Sequence, residues 1–204
     1  MQMPVSGAIP IMVSSSLAHI GHGDARPGRR VACPAISHEM SDEPKPDATA
    51  TPEQRLAQLG LELPETAPAA GNYLAVSQVG ATLYVSGHGP YQGAKAGYAL
   101  KGRLGQDLDV EQGSRAAQLV ILSVLASVKA HLGELDRVRR VAKLLCFVSS
   151  TPEFHDQPTV ANGASDLLVE IFGPERGRHA RSAVGMASLP AGIAVEIEAI
   201  FEVD

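Results

Sequence analysis

An arginine and a glutamate near the end of the chain could together bind a small acid and act on it. Arg181 lies in ARSAVGMA and Glu196 in GIAVEIEAIFEV, two segments whose composition predicts β-strands. A guanidinium can hold a carboxylate through two parallel hydrogen bonds, and a carboxylate can order a water molecule and accept its proton. The alternative is that both are surface side chains in weak ion pairs, and spacing alone favours that alternative.

Small side chains accompany Arg181 on its predicted strand. Because successive side chains of a strand point to opposite faces, three small residues share the face of Arg181. They are Ala183, Gly185 and Ala187. The other face, which carries Val184, is predicted to be core. Space beside a fixed cation suits an anionic ligand.

The pairing of the last two strands determines how Arg181 and Glu196 are placed relative to each other. The two strands are joined around SLPAG, and we assume a hairpin in which Ser188 pairs with Ile193. In that register Arg181 and Glu196 share a face, with a gap between them. The hairpin therefore predicts that a small ligand could lie between the cation and the carboxylate.

The elements upstream must position this pair. The pattern predicts the order strand, strand, helix, strand, helix, strand, strand. The strands are predicted at residues 73–79, 82–86, 138–148, 181–187 and 193–203. Asp109 can cap the first helix and Gly133 can end it, and the second is predicted at 158–172. This order suits a mixed sheet with helices on one face, and an oligomer is the obvious means of burying the other face.

Residues 1–50 differ in composition from the rest of the chain. They are rich in Pro, Ser, Gly and Asp without a sustained period, which predicts a disordered extension or a start codon assigned too far upstream. His19, His22 and Asp24 are too few ligands in such a segment to predict a metal site. Thr51 can cap a short helix, so one domain is predicted at 51–204.

Composition excludes several classes of protein. The net charge of −5 argues against a dedicated nucleic-acid binder, which usually carries a concentrated basic face. We expect no membrane span, because no stretch approaches the roughly 20 apolar residues that one needs. Cys33 and Cys146 form neither a disulfide framework nor a metal pattern, and Cys146, in LLCFV, is predicted to be a buried thiol. Together these features predict a cytoplasmic protein.

Two segments carry a family resemblance. ARSAVGMASLPAGIAVEIEAI resembles the closing signature of the RidA (YjgF/L-PSP) family, and GNYLAVSQVGATLYVSGHGP resembles its opening signature. They lie in the right order within residues 71–204, with the family's helix and strand order between them. The resemblance implies an α+β, chorismate-mutase-like fold: a mixed sheet with two helices packed on one face. It also implies a homotrimer with ligand sites between neighbouring subunits.

The resemblance further implies an activity and the residues that perform it. The family's enzymes hydrolyse reactive 2-imino and enamine acids to 2-oxo acids and ammonia, with no metal or organic cofactor. By this resemblance Arg181 binds the substrate carboxylate and Glu196 orients the attacking water. Tyr73 is expected to enter the cleft from a neighbouring subunit, and Ser86 and Gly87 to line it at a strand end.

The chain departs from the family pattern at two expected substrate-binding positions. His88 replaces the family's Gln, and Ala183 stands where a polar residue is frequent. His88 could be an acid or base in the cleft, or a hydrogen-bonded loop residue. Asn162 lies near a family Asn in the second helix. These departures keep two alternatives open: a protein that binds small carboxylates or acts like a chaperone without turnover, and an endoribonuclease or translation inhibitor.

Overall fold

The structure is a computed structural model that describes residues 50–68 and 70–204. The extension predicted at 1–50, apart from Ala50, lies outside the described residues. The same holds for the cluster that begins at His19 and for Cys33.

Three helices and five strands make up the described part of the chain. In chain order they are α1 (Pro52–Gln58), β1 (Val76–Val79), β2 (Thr82–His88), α2 (Val110–Leu132), β3 (Val138–Ser149), α3 (Gln157–Gly177), β4 (Ala180–Met186) and β5 (Val195–Val203). Thr51 and Asp109 both form capping boxes, as their sequence contexts predict. At Gly173, where the second helix was predicted to stop, φ is 77° and α3 is kinked, because Pro174 follows and cannot continue a regular helix.

One mixed sheet organises the fold, with the strand order β1-β2-β5-β3-β4. Only the β3–β4 pair is parallel, and the other neighbours are antiparallel. α2 packs against β2 and β5, and α3 packs against β3 and β4, so the two long helices cover the same face. The predicted α+β class with a mixed sheet is therefore confirmed.

The predicted hairpin between the last two strands is wrong. β4 and β5 do not pair, because β3 lies between them and hydrogen-bonds to both. The intervening segment turns through a short 3₁₀ helix, Pro190–Gly192, and crosses the end of β3. Ile193 forms a bridge with Lys101 and not with Ser188.

The strand order also corrects the relative placement of Arg181 and Glu196. Arg181 is aligned with Leu144 of β3, which is fully buried beneath the helices. Glu196 is aligned with Phe147 and alternates with the buried Val195 along β5. The two charged residues therefore lie on opposite faces of the sheet, and the prediction that they share a face is wrong.

The core lies between the sheet and the helices, and α2 is its centre. Buried residues lie on all sides of α2, among them Val120, Ile121 and Leu125. Among the described residues, α2 is the one helix that is long and apolar enough to cross a membrane, although 72% of its most apolar stretch is buried inside the fold. The expectation that no stretch reaches this length is thus wrong, and burial within the domain accounts for the composition.

Cys146 of β3 belongs to this core. Its side chain is fully buried, as predicted, and burial raises the pKa of the thiol to about 11. The nearby Arg181 acts in the opposite direction and lowers this pKa.

The face of the sheet away from the helices carries large apolar side chains among charged ones. Tyr84 is 49% exposed and Val184 is 40% exposed. Ile200 and Phe147 lie between them in the register and are only partly buried. We call this surface, with Glu196 at one end, the open face.

Candidate functional site

Glu196 is a half-buried carboxylate without a partner. Among the residues that the structure describes, none donates a hydrogen bond to its carboxylate or forms an ion pair with it. Burial raises the pKa of Glu196, and the neighbouring Glu198 raises it further. A carboxylate in this state can accept a proton from a water molecule held against it.

Gly87 makes room for this carboxylate. A β-bulge between Val85 and His88 interrupts the pairing of β2 with β5 and brings the backbone of Gly87 over Glu196. A Cβ at Gly87 would lie 2.0 Å from Glu196 Oε1. Any side chain at position 87 would therefore displace the carboxylate. This steric limit explains why the residue predicted to line the cleft at this position is a glycine.

Two tyrosines form the wall of a narrow cleft beside Glu196. The cleft has a volume of about 40 Å³ and is lined by Tyr73, Tyr98, Ser86 and Gly87. Tyr73 is half exposed and its hydroxyl accepts a hydrogen bond from Ala70 N. Burial raises the pKa of Tyr98, as do Tyr73, Tyr91 and Glu196 nearby, so the phenol stays protonated and can donate a hydrogen bond.

The imidazole of His88 points away from this cleft. Its Nδ1 donates to Ser86 O at 2.7 Å, and its Nε2 accepts from Ser127 Oγ of α2 at 2.8 Å. Burial lowers the pKa of His88, so the ring is neutral. Both nitrogens are engaged, which favours the hydrogen-bonded structural role over acid–base catalysis. His88 anchors the bulge that places Gly87.

Arg181 forms a separate cationic group with side chains of α3. Its Nη1 donates to Asn162 Oδ1 and Ser165 Oγ, both at 2.9 Å, and its Nη2 donates to Pro158 O at 3.2 Å. No carboxylate of the described residues lies within ion-pair distance of it. The guanidinium is therefore oriented but not neutralised, as an anion-binding group should be.

His179 completes the hydrogen bonding around Arg181. Its Nδ1 donates to Gly177 O at 2.7 Å, which leaves Nε2 to accept from Ser165 Oγ at 3.1 Å. Burial lowers the pKa of His179, and Arg181 lowers it further, so His179 adds no charge. Asp166 and Arg178 line the same cavity as Ser165 and Arg181, and neither forms an ion pair with another described residue.

The predicted site residues thus fall into two groups on one chain. Gly87 contacts Glu196 and also lines the cleft with Tyr73, Ser86 and His88, and we call these residues with Glu196 the carboxylate group. Arg181 lies across the sheet and forms the cationic group with Asn162 and Ser165. Ala183 lies on the helix side of the sheet, like Arg181. It aligns with Cys146 and packs against the core.

Tyr98 and Ser165 are site residues that sequence analysis missed. Tyr98 ends a glycine-rich loop without periodicity, and its contact with Tyr91, 5.5 Å between ring centroids, depends on how that loop folds back. Ser165 lies three residues after Asn162 and therefore on the same face of the helix. That spacing from Asn162 could have identified Ser165 from the sequence. Among the described residues, no group of three His, Cys, Asp or Glu side chains could hold a metal ion.

Comparison with known proteins identifies the family. Residues 53–195 match the model of the family described as "YjgF/chorismate_mutase-like, putative endoribonuclease". The chain belongs to the YjgF/chorismate-mutase-like family. The matched region runs from α1 to the start of β5, so it contains both Arg181 and the cleft tyrosines.

Similar proteins occur in several organisms. TCP17 of Trypanosoma cruzi is 48% identical over 149 residues, which are 73% of this chain and 92% of TCP17. The crystal structure of Atu1372 from Agrobacterium tumefaciens, a protein of unknown function, is 48% identical and has a TM-score of 0.68, covering 76% of this chain and 92% of that one. A putative endoribonuclease from Shewanella oneidensis is 38% identical with a TM-score of 0.72, covering 76% of this chain and 100% of that one.

Proposed function

We propose that this YjgF-family protein hydrolyses reactive 2-imino and enamine acids to 2-oxo acids and ammonia. Its sites are formed between the subunits of a homotrimer. One subunit supplies the cationic group around Arg181, which binds the substrate carboxylate. The neighbouring subunit supplies the carboxylate group, in which Glu196 orients the attacking water.

One observation carries this proposal: two opposite charges are held in position without counterions, on opposite faces of one sheet. Arg181 has three hydrogen bonds that orient it and no carboxylate partner, while Glu196 is half-buried and unpartnered among the described residues. Leaving partly buried charges unpaired is unfavourable unless they serve a ligand. A single copy cannot bring them to one small molecule, but a second copy can.

The reaction needs little more than orientation and one proton acceptor. Water attacks the imine carbon, its oxygen forms a bond to that carbon, and its proton passes to the Glu196 carboxylate. Glu196 passes this proton to the imine nitrogen, which gives a carbinolamine. A second proton reaches the nitrogen as the carbon–nitrogen bond breaks and ammonia leaves, and the carbinolamine hydroxyl releases its own proton as it becomes the carbonyl, so the proton donor and acceptor return to their starting states. Holding substrate and water in contact supplies much of the acceleration, because the imine is already electrophilic.

Tyr98 is the candidate proton donor in this scheme. Tyr98 lines the cleft with Gly87, which contacts Glu196, and its phenol stays protonated, so it can donate to the nitrogen as the carbon–nitrogen bond breaks. Tyr73, half exposed at the mouth of the cleft, covers the bound molecule.

The experiment that tests the proposal is imine turnover. A 2-imino acid such as 2-iminobutanoate or 2-aminoacrylate is generated in situ by a pyridoxal-phosphate enzyme or an amino-acid oxidase, and the remaining imine is trapped with semicarbazide. We expect the protein to lower the trapped fraction, and R181A to lose this effect about a hundredfold or more because the substrate is no longer oriented. R140A is the matched control, since Arg140 pairs with Glu202 outside both groups.

The outcomes separate the proposal from its alternatives. Binding of a small carboxylate that depends on Arg181 without turnover would favour a non-catalytic binding protein. The family description makes RNA cleavage a second candidate, so the same variants are assayed on single-stranded RNA. Cleavage of RNA without imine turnover would overturn the deaminase proposal, although Glu198 and Glu202 on the open face oppose RNA binding.

The pH dependence of turnover tests the role of Glu196. A base must be ionised, so the rate falls on the acid side as Glu196 takes up a proton. Because burial and Glu198 raise the pKa of Glu196, we expect this fall above the ordinary glutamate value of about 4.3. E198Q removes one cause of the raised pKa of Glu196, so it should move the acid limb of kcat/KM to lower pH. E202Q is the control on the same face, and a profile that E198Q leaves unchanged would contradict the assignment.

A further inference from the structure

A second polar cavity lies on the helix side of the sheet, beyond the end of β4. It encloses about 310 Å³ between the loop that precedes α2, the end of β3 and the beginning of α3. Its polar lining consists of Arg103, Ser150, Thr151, His155 and Gln157, and Gly185 forms part of its wall. Arg181 is not among its lining residues, so the cavity is distinct from the cationic group.

Arg103 is the charged residue that is built into this cavity. Its backbone is fixed, because its N–H donates to Asp107 Oδ2 at 2.9 Å and its carbonyl accepts from Asp107 N at 2.8 Å. Its Nη2 donates to Ser150 O at 3.0 Å. The guanidinium is thus anchored on one side by the end of β3 and presents its remaining donors to the cavity.

The guanidinium of Arg103 is incompletely satisfied. Its Nε is shielded from solvent and has no hydrogen-bond partner. No carboxylate of the described residues forms an ion pair with it, because Asp107 is used by the loop backbone and by Gln106. A buried donor without an acceptor is unfavourable, and an oxyanion is the acceptor that a guanidinium binds best.

A second group of the cavity, the hydroxyl of Ser150, can also donate to a ligand. Gln157 Nε2 donates to Phe154 O at 2.7 Å and to Ser150 Oγ at 3.4 Å, so the Ser150 hydroxyl proton remains available to a ligand. Gly185 keeps the space open, since a Cβ there would lie 2.8 Å from Ser150 Oγ and 2.9 Å from Gln157 Nε2.

The electrostatics of the cavity favour a negative ligand. None of its lining residues is Asp or Glu, whereas Arg103 and His155 are basic. Gln157 is the first residue of the 21-residue helix α3, whose N-cap residue Asp156 makes no capping hydrogen bond with its side chain. The positive end of the helix dipole therefore adds to the charge of Arg103.

We propose that this cavity is a second anion-binding site, which takes the oxyanion group of a small organic ligand. Arg103 binds the oxyanion, Ser150 donates a further hydrogen bond, and Pro152, Phe154 and Met186 contact the apolar body of the ligand. A carboxylate and a phosphate ester present the same chemistry to these groups.

Titration calorimetry on the full chain tests the site with three probes: benzoate, phenyl phosphate and inorganic phosphate. We expect at least one probe to bind, and R103Q to weaken its binding about tenfold or more, because a charge-assisted hydrogen bond is lost. R139Q is the matched control, since Arg139 is exposed and pairs with Asp204 at the surface. The probe that binds most tightly distinguishes a carboxylate ligand from a phosphate ligand.

A second variant tests the site independently, in case R103Q has a folding defect. G185V leaves Arg103 intact and fills the cavity from the opposite wall, so it should weaken the same probe. The probes are also titrated into R181A, which removes the cationic group that would itself bind a small carboxylate. The binding that R103Q weakens should remain in R181A, although R181A is expected to lose imine turnover. No binding of any probe, equal binding by R103Q, or loss of binding in R181A alone would overturn the second site, and none of these results depends on whether the protein is a deaminase.

Discussion

Mixing two inactive variants, R181A and E196Q, is expected to restore about one quarter of the wild-type imine turnover, because each site takes one residue from each of two subunits. In a randomly mixed oligomer, half of the subunits keep an intact Arg181 and the other half keep an intact Glu196. A site then joins the two intact residues in roughly one case in four. Each variant alone has no intact site.

The recovery follows from the opposite-face placement of the two residues. Arg181 is held by α3 on the helix side of β4, and Glu196 lies on the open face of β5, with β3 between the two strands. No rotation of either side chain brings both to one small molecule within a single chain. If instead one chain contained the whole site, every mixed oligomer would remain as inactive as its parents.

The measurement is turnover of co-expressed variants that carry different affinity tags. Purification over both tags isolates mixed oligomers, and native mass spectrometry gives their subunit count. Every mixed trimer has one intact site of three, so the expected recovery rises from about one quarter in the unfractionated mixture to about one third in the purified mixed trimers. A mixture of R181A with R140A is the control, because R140A keeps both groups intact and should supply both Arg181 and Glu196. Mixed oligomers of R181A and E196Q without activity, beside an active wild type, would contradict the intersubunit site.

Local patterns predicted which residues share a face along each strand, because that alternation depends only on the strand period. β5 alternates as expected, with Glu196 and Glu198 away from the core. The same alternation correctly placed Arg181 with Ala183 and Gly185, but it could not say which face of the sheet they occupy. These small residues are explained by packing, since Ala183 contacts the core and Gly185 approaches Gln157 of α3.

Strand order was beyond what local pattern could predict. The segment after Met186 has the length and composition of a hairpin connection, and nothing within it shows that β3 pairs with both neighbours. The choice depends on long-range pairing, because β3 hydrogen-bonds to β4 on one side and to β5 on the other. Tyr98 escaped prediction for a similar reason, because bridges to distant residues position its loop.

Replacement of Gly163 by alanine is expected to destabilise the fold by about 3 kcal/mol or more, because it forces two core helices apart. Gly163 lies on α3, where a Cβ would be 2.3 Å from the backbone oxygen of Ser114 on α2 and 2.9 Å from its carbonyl carbon. A backbone atom cannot rotate away as a side chain does. The helices would have to separate, and apolar side chains between them would lose contact.

Gly113→Ala is the matched control, since it places the same methyl group at the same helix–helix contact. Its Cβ would meet Leu104 Cδ1 at 2.8 Å and Val160 Cγ2 at 2.9 Å, which are side-chain atoms, whereas the Cβ of Gly163→Ala would meet a backbone oxygen. Both substitutions gain about 1 kcal/mol of helix propensity, so the difference between them isolates the backbone clash. Urea unfolding at one protein concentration measures it, since subunit association also affects stability. Equal unfolding midpoints for the two variants would contradict the close approach of α2 and α3 at Gly163.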